Sequence, residues 1–345
     1  MKKVLISAAG SPFFKDVDEP RLDHPDAVLV RTRFSAVSPG TERRILRRLA
    51  EEGAGGGEHE IGYASSGLVR EVGENITHVR PGDPVACYGT QWAFAGHGGA
   101  SAPRRHSFAK VPEGVGLEEA AFAAIGTFPL NALRLTKCGL GETVVVIGLG
   151  LLGLITVQLA RAAGLVVVGV EPHEGRRKLA ERLGAEAAFA PGDEGAAAAV
   201  GDFTEGAGAD ACVLATAGES PGPLEEAMGL SRERGRVVFL GGGGRQFTRT
   251  GPFREKELEL VAVKASGPGR YDGRYERDCV DYPLPYARWT VHRNLKEVLR
   301  QMGEGALRVK PLIERRVPFD RAAAEFERLA AGEPVLGIVF EYEES

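Results

Sequence analysis

The stretch that most constrains the fold is Gly141 to Glu171, GETVVVIGLGLLGLITVQLARAAGLVVVGVE. Thr143 to Ile147 is a short β-branched run, Leu154 to Ala163 an apolar helical run that stops at Gly164, and Val166 to Val170 a second β-branched run. Gly148, Gly150 and Gly153 stand between the first strand and the helix, and the second strand ends on Glu171. A lone GxGxxG says little. Here it follows a strand, opens a helix and has an acid about 20 residues on, which is the context a dinucleotide-binding turn requires.

Each residue of the turn has a physical role. Gly148 permits the tight turn, Gly150 lets a pyrophosphate approach the backbone without meeting a Cβ, and Gly153 lets helix and strand pack closely. The N–H groups from Leu149 through Leu151 and Leu152 to Gly153 then face the phosphates at the positive end of the helix. Glu171 is placed to accept both hydroxyls of an adenine ribose and to repel a 2′-phosphate, so the expected cofactor is NAD rather than NADP. Arg176 and Arg177 follow closely enough to reach a 2′-phosphate, although arginines on an exposed helix face are commonly just solvated.

With 345 residues the chain is long enough for two domains and a well-buried core. Its 43% hydrophobic and 26% charged fractions are those of a soluble globular protein, and a net charge of −4 points to neither nucleic acid nor an anionic membrane as partner. No run approaches a membrane span. The opening MKKVLISAAG meets Lys15, Asp16 and Asp18 before any long apolar region, so it reads as a first strand rather than a signal peptide, and a cytoplasmic location is expected. Cys87, Cys138, Cys212 and Cys279 stand singly, with no CxxC pair, which argues against structural zinc and a disulfide framework.

Residues 1 to about 115 read as β-rich, with strands at Ala27 to Arg33, Ser66 to Val72 and Pro84 to Tyr88 and no dominant helical period. EEGAGGGEHE, Glu51 to Glu60, reads as a loop. From about residue 117 helices appear, Leu117 to Ala124 and Phe128 to Leu135, and the alternating region begins. Ala209 to Leu214 and Arg236 to Leu240 are further buried strands; Thr216 and the glycines Gly241 and Gly242, within a run that continues to Gly244, follow their carboxyl ends, where a doubly wound sheet holds its ligand. Ser266 to Asn294 holds four of the chain's seven tyrosines, one of its two tryptophans and five arginines, including Arg270, Tyr271, Tyr286, Arg288 and Trp289. Such enrichment in a proline-containing loop suits a polyhydroxylated ligand or a subunit interface. A helix at Leu295 to Met302 and a strand pair near Leu312 to Val317 and Leu336 to Glu341 close the chain.

AVSPGTE (Ala36 to Glu42), GYASSGLVREVG (Gly62 to Gly73), GDPVACYG, VIGLGLLG and ALRVKPLI (Ala306 to Ile313) together resemble the medium-chain dehydrogenase/reductase superfamily over essentially the whole chain. The resemblance implies an α/β protein in which a GroES-like β-barrel domain, residues 1–125 and 269–345, embraces a Rossmann doubly wound parallel sheet, residues 126–268, with the active site in the cleft and a homodimer as the usual assembly. More narrowly, SPGTE, GYASSG and the block from Gly267 to Asn294 resemble the zinc-independent branch containing bi-domain oxidoreductases and bacteriochlorophyllide-type dehydrogenases. Where zinc enzymes of the superfamily carry Cys-Gly-Thr-Asp and Gly-His-Glu, this chain has Pro39-Gly40-Thr41-Glu42 and Gly62-Tyr63-Ala64, and Ala123 to Thr127 offers no Cys, His, Asp or Glu for the third ligand. A catalytic zinc needs three protein ligands and an open position, so the expected chemistry runs without a metal.

Hydride transfer from a secondary alcohol then needs a proton acceptor within hydrogen-bond reach. Thr41 matches the relay hydroxyl of the zinc enzymes but cannot be the terminal base. Tyr63 stands where a ligand is lost and would need a lowered pKa to act as base, or else fills the vacated space; His97 has a suitable titration range or is a satisfied loop histidine; Glu42 pairs with an arginine or is itself the base. The small-molecule substrate expected is a sugar, cyclitol or related polyol. A hydroxyethyl tetrapyrrole, a quinone or enone, or a sensor that binds NAD without turnover are the alternatives.

Overall fold

The computed structural model describes residues 1–52, 57–89, 97–218, 220–242 and 251–343. The chain divides into two units, one of residues 1–125, 268–303 and 309–345, the other of residues 126–267 and 304–308.

The first unit begins with β1 (Lys2–Ile6), which pairs antiparallel with β2 (Pro12–Asp16). The long strand β3 (Val28–Val37) follows, and then a helix that the sequence pattern did not announce, α1 (Pro39–Glu52). Ser38 stands ahead of its first turn and its carbonyl accepts the N–H groups of Thr41 and Glu42 at 3.0 Å each, while Pro39 occupies a first-turn position where a missing N–H costs nothing. Arginines and glutamates dominate the composition of α1 and mask its period. Yet Glu42, Leu46 and Leu49 recur at helical spacing and are all buried, so the helix lays one narrow stripe into the core with an acid at its head. Its last residues take up Glu51 and Glu52, His59–Glu60 forms β4, and residues 53–56 of the expected loop lie outside the described residues.

Next come β5 (Ala64–Val72), β6 (Pro84–Tyr88), β7 (Ala100–Ser101) and β8 (Phe108–Lys110). β3 pairs antiparallel with β5, β5 with β6 and β6 with β8. Gly67 lets β5 approach β3, since a Cβ there would stand 2.0 Å from the Arg31 carbonyl oxygen.

α2 (Leu117–Ala120) and α3 (Ala123–Thr136) lead into the second unit, whose elements are β9 (Thr143–Ile147), α4 (Leu151–Ala162), β10 (Val166–Val170), α5 (Glu174–Arg182), β11 (Ala187–Phe189), α6 (Glu194–Phe203), β12 (Ala209–Leu214), α7 (Gly222–Leu230), β13 (Ser231–Phe239), α8 (Pro252–Glu255) and β14 (Glu259–Ala262). All six strands are parallel in the order β11-β10-β9-β12-β13-β14, the arrangement of a doubly wound dinucleotide-binding sheet, which reverses direction between β9 and β12. Such strands are covered on both faces, which is why β9 is buried at every residue. β13 begins at Ser231, five residues before the expected Arg236, because its polar opening section carries no apolar run.

The last stretch belongs again to the first unit: α9 (Gly273–Glu276), α10 (Val291–Gly303), β15 (Arg315–Pro318), α11 (Ala322–Ala330) and β16 (Ile338–Glu341). The closing strands pair in parallel across α11, and β16 joins β3 to complete a seven-stranded mixed sheet. The α/β class with a doubly wound parallel sheet and a separate sheet domain is therefore as expected. Among the described residues no helix is long and apolar enough to cross a membrane.

Candidate active site and cofactor turn

The cofactor turn lies within the second unit. Gly148 adopts φ +92°, and a Cβ there would stand 2.9 Å from Thr216 Cγ2. At Gly153 a Cβ would stand 1.9 Å from the Gly148 carbonyl oxygen, so helix and turn close only over a bare backbone. At Gly150 nothing lies within 4 Å of that position. This glycine keeps space open rather than permitting internal contact. Gly150 also caps α4 in an extended conformation with no side chain satisfying the first-turn N–H groups, which leaves the donors of Leu151 and Leu152 for an anion. Leu149 is buried beneath the turn.

Glu171 is buried at the carboxyl end of β10. One carboxylate oxygen accepts the Leu149 N–H at 2.8 Å and the other accepts the His173 N–H at 3.1 Å, so the acid and the glycine turn hold each other in place. Arg176 approaches the same carboxylate at 3.9 Å, and Arg177 donates to the carbonyls of Glu171 and Pro172 at 2.7 Å each. Thr216 sits at the end of β12, its buried hydroxyl without a hydrogen-bond partner, and Gly241 must be glycine because a Cβ would stand 2.1 Å from the Thr216 carbonyl oxygen. Gly242 follows; Gly243 and Gly244 of the glycine run lie outside the described residues. An uncapped helix start, a bare backbone and an orphaned hydroxyl at the carboxyl ends of adjacent strands fit a nicotinamide dinucleotide.

The catalytic candidates gather in the first unit. Thr41, in the opening turn of α1, is half-buried; Ser38 Oγ lies 3.3 Å from its hydroxyl, and the Tyr63 hydroxyl bonds to both. Burial drives the Tyr63 phenol well above its ordinary value, with Tyr88 and the Glu42 charge adding to the shift. The lowered pKa that base duty for Tyr63 requires is not found: desolvation disfavours the phenolate and shifts the group the other way.

Glu42 is fully buried, neither carboxylate oxygen has a hydrogen-bond partner, and burial raises its pKa despite His97. His97 is not a loop histidine satisfied by backbone. Its Nε2 lies 3.6 Å from Glu42 Oε1, in ion-pair range but longer than a hydrogen bond, and its Nδ1 lies 2.8 Å from Ser35 Oγ, which in turn lies 3.0 Å from the Tyr342 hydroxyl. Phe326 and Phe340 wall the imidazole, and Gly62 at φ +86° clears its remaining side, since a Cβ there would stand 2.5 Å from the ring.

Of the five residues singled out in the aromatic and arginine-rich stretch, two join this region. The Arg270 guanidinium sits 5.0 Å from the Tyr88 ring centroid and 4.2 Å from that of Tyr271, is paired with buried Glu276 at 2.6 Å, and leaves its Nε unpartnered; Tyr88 packs 5.8 Å from Tyr63. Tyr286 instead exposes 89% of its surface, and exposed Arg288 folds over the Trp289 ring at 4.1 Å. Ser35, Ser38, Tyr88, Glu276 and Tyr342 went unnoticed in the sequence. Only Ser38 carried a local signal, as the residue before a first-turn proline.

Pro39, Tyr63 and residues 123–127 offer no Cys, His, Asp or Glu side chain. Among the described residues the one group of His, Cys, Asp or Glu able to converge on a metal is His24, Asp26 and Cys279, which includes none of the catalytic candidates.

Residues 152–274 match the family model described as zinc-binding dehydrogenase. The chain is 25% identical over 348 residues to D-guloside 3-dehydrogenase of Escherichia coli, covering 92% of this chain and 93% of that one. It is 26% identical over 311 residues to sorbitol dehydrogenase of Arabidopsis thaliana, covering 81% and 79%. Among solved structures, galactitol-1-phosphate dehydrogenase from Escherichia coli superposes with a TM-score of 0.79 over 99% of this chain and 100% of that one, at 20% identity, a likeness of fold. The family-model match and the full-length relatives are thus to alcohol and polyol dehydrogenases, as the resemblance to the medium-chain dehydrogenase/reductase superfamily implies.

Proposed function

We propose that this chain is a zinc-independent, NAD-dependent oxidoreductase that interconverts a secondary alcohol and a ketone on a sugar, cyclitol or related polyol. The observation that carries the reading is the buried Glu42–His97 pair, together with the bonded Thr41, Ser38 and Tyr63 hydroxyls, of which Tyr63 stands where the resemblance puts a zinc ligand. The polyol class rests on the relatives whose names denote sugar and polyol dehydrogenases, and on a donor set suited to several hydroxyls.

When bound, the nicotinamide supplies the hydride acceptor. Residues Gly148 to Gly153 would hold its pyrophosphate, Glu171 its adenine ribose, and Thr216, Gly241 and Gly242 its nicotinamide half. Thr41, the half-exposed hydroxyl, takes the proton of the substrate alcohol; Tyr63 donates to the same oxygen and fixes its position. Glu42, whose proton affinity is raised by burial, is the terminal acceptor of the proton that Thr41 passes on and becomes neutral as it takes it, with His97 positioned 3.6 Å away. Arg270, with Tyr271 and Tyr88 on its faces, would read the ring hydroxyls.

The test is a binding titration with NADH and NADPH followed by NAD reduction across sugars, cyclitols and their carboxylated forms. Tighter NADH binding with turnover on a polyol supports the reading; tight NADH binding without turnover on any polyol transfers it to a tetrapyrrole substrate or a sensor. Preference for NADPH overturns the Glu171 assignment and favours a reductase. Turnover should persist when the protein is freed of metal and remains folded. Activity that requires stoichiometric zinc would overturn the metal-free mechanism.

A further inference from the structure

His24, Asp26 and Cys279 bring a nitrogen, a carboxylate oxygen and a sulfur within 4.8 Å of one another, all on half-buried residues. We propose that these three side chains form a structural site for zinc or a similar divalent cation, tying the loop before β3 to the segment between α9 and α10, with water in the fourth position. The inference is independent of the activity proposed above.

The donor set is the first reason. Imidazole, carboxylate and thiolate in one cluster is a zinc set, and three protein ligands make a tetrahedral site once water completes it. His24 Nδ1 lies 3.9 Å from Asp26 Oδ2. Zinc with bonds of roughly 2.0–2.3 Å holds its ligands about 3.3–3.8 Å apart, so the three atoms need to close by only about 1 Å. The Asp26 N–H donates to His24 Nδ1 at 3.1 Å; ligation through Nε2 keeps that bond, and ligation through Nδ1 exchanges it for the metal.

The surroundings are the second reason. Asp26 Oδ1 accepts from Arg105 Nε at 2.9 Å and Oδ2 accepts from Asn75 at 3.1 Å, which fixes the carboxylate as outer partners of a metal ligand do. The Cys279 thiol donates weakly to the Arg277 carbonyl at 4.0 Å; burial and Asp26 raise its pKa, and Arg104 and Arg105 act against that rise. Binding therefore replaces the thiol proton with an S–metal bond and releases that proton to solvent, with no change of oxidation state. Cys279 itself adopts φ +56°, a left-handed conformation uncommon for a residue with a side chain, held where the Val280 N–H reaches the Arg274 carbonyl at 2.9 Å.

The experiment is a cobalt(II) titration of the reduced, metal-free full-length chain, followed by absorption. One equivalent should bind with a thiolate-to-cobalt charge-transfer band that zinc abolishes, and added zinc should raise the unfolding temperature. Cys279→Ser should lose the band, and His24→Gln should weaken cobalt binding by about tenfold or more, with circular dichroism confirming that each variant is folded. A folded wild-type chain without the band at excess cobalt overturns the proposal. So does a band that survives in Cys279→Ser, or affinity unchanged in His24→Gln, which keeps the test decisive if the serine variant does not fold.

Discussion

At the scale of single residues, Glu42 carries the greatest chemical weight. Burial raises the pKa of the Glu42 carboxyl above the usual carboxylate range, with the His97 imidazole 3.6 Å away, and the proposed role as terminal base requires it unprotonated. The oxidation rate should therefore rise with pH through the Glu42 titration, and Glu42→Gln should remove that acid limb while lowering kcat about 100-fold or more with NADH affinity unchanged. A pH profile identical in wild type and variant would place the base elsewhere. Glu171 is tested separately: Glu171→Ala should weaken NADH binding about tenfold, the loss of one charge-assisted hydrogen-bond pair, and an unchanged dissociation constant would remove it from the ribose. Both acids were visible as letters in the sequence. Their burial was not, because desolvation is set by residues distant in the chain: the His97 that faces Glu42 is itself walled by Phe326 and Phe340.

At the scale of elements, the β9–α4 turn and α1 show two ways in which a short segment fixes chemistry. In the turn, Gly150 and Gly153 look alike in the sequence and differ in space. Gly150→Ala meets nothing within 4 Å, so it should leave the unfolding temperature within a few degrees of wild type while weakening NADH binding. Gly153→Ala would drive a Cβ to 1.9 Å from the Gly148 carbonyl oxygen and should cost several kcal/mol, seen as a lowered denaturation midpoint even without cofactor. Equal stability of the two variants would refute this division of roles. The helix α1 escaped a reading by hydrophobic period because Leu46 and Leu49 are the only buried aliphatic side chains on it, joined by Pro39 and Glu42 in its first turn. That substitution of acid for apolar residue hid the element and built the site at once.

At the scale of the whole molecule, the charge balance predicts how stability responds to acid. Buried His292 is held well below its ordinary value by desolvation, aided by Lys296, His106, His78 and Arg293. His106 is lowered chiefly by burial against the opposing pull of the Tyr275 carbonyl and Asp281, and His78 by burial, Lys296 and Arg105. The unfolded chain takes up protons at buried His292 and His106 from about pH 6.5 downward, before the folded chain does, so stability should fall as pH drops below that value, by at most about 1.4 kcal/mol per pH unit for each of these two. Unfolding temperatures measured between pH 8 and pH 5 should show this slope, reduced in His292→Asn; an unchanged slope would exclude the cluster. The parallel sheet and the glycine turn between its first strand and helix were legible in the sequence by themselves, because β-branched runs and glycine positions act through neighbouring backbone and keep their meaning at any distance from the rest of the chain. The pairing of Glu42 with His97, the placing of Arg270 between Tyr88 and Tyr271, and the meeting of His24, Asp26 and Cys279 were decided only by tertiary structure. Each depends on the burial and close approach of groups far apart in the chain, and no local pattern encodes which distant side chain will share a low-dielectric space.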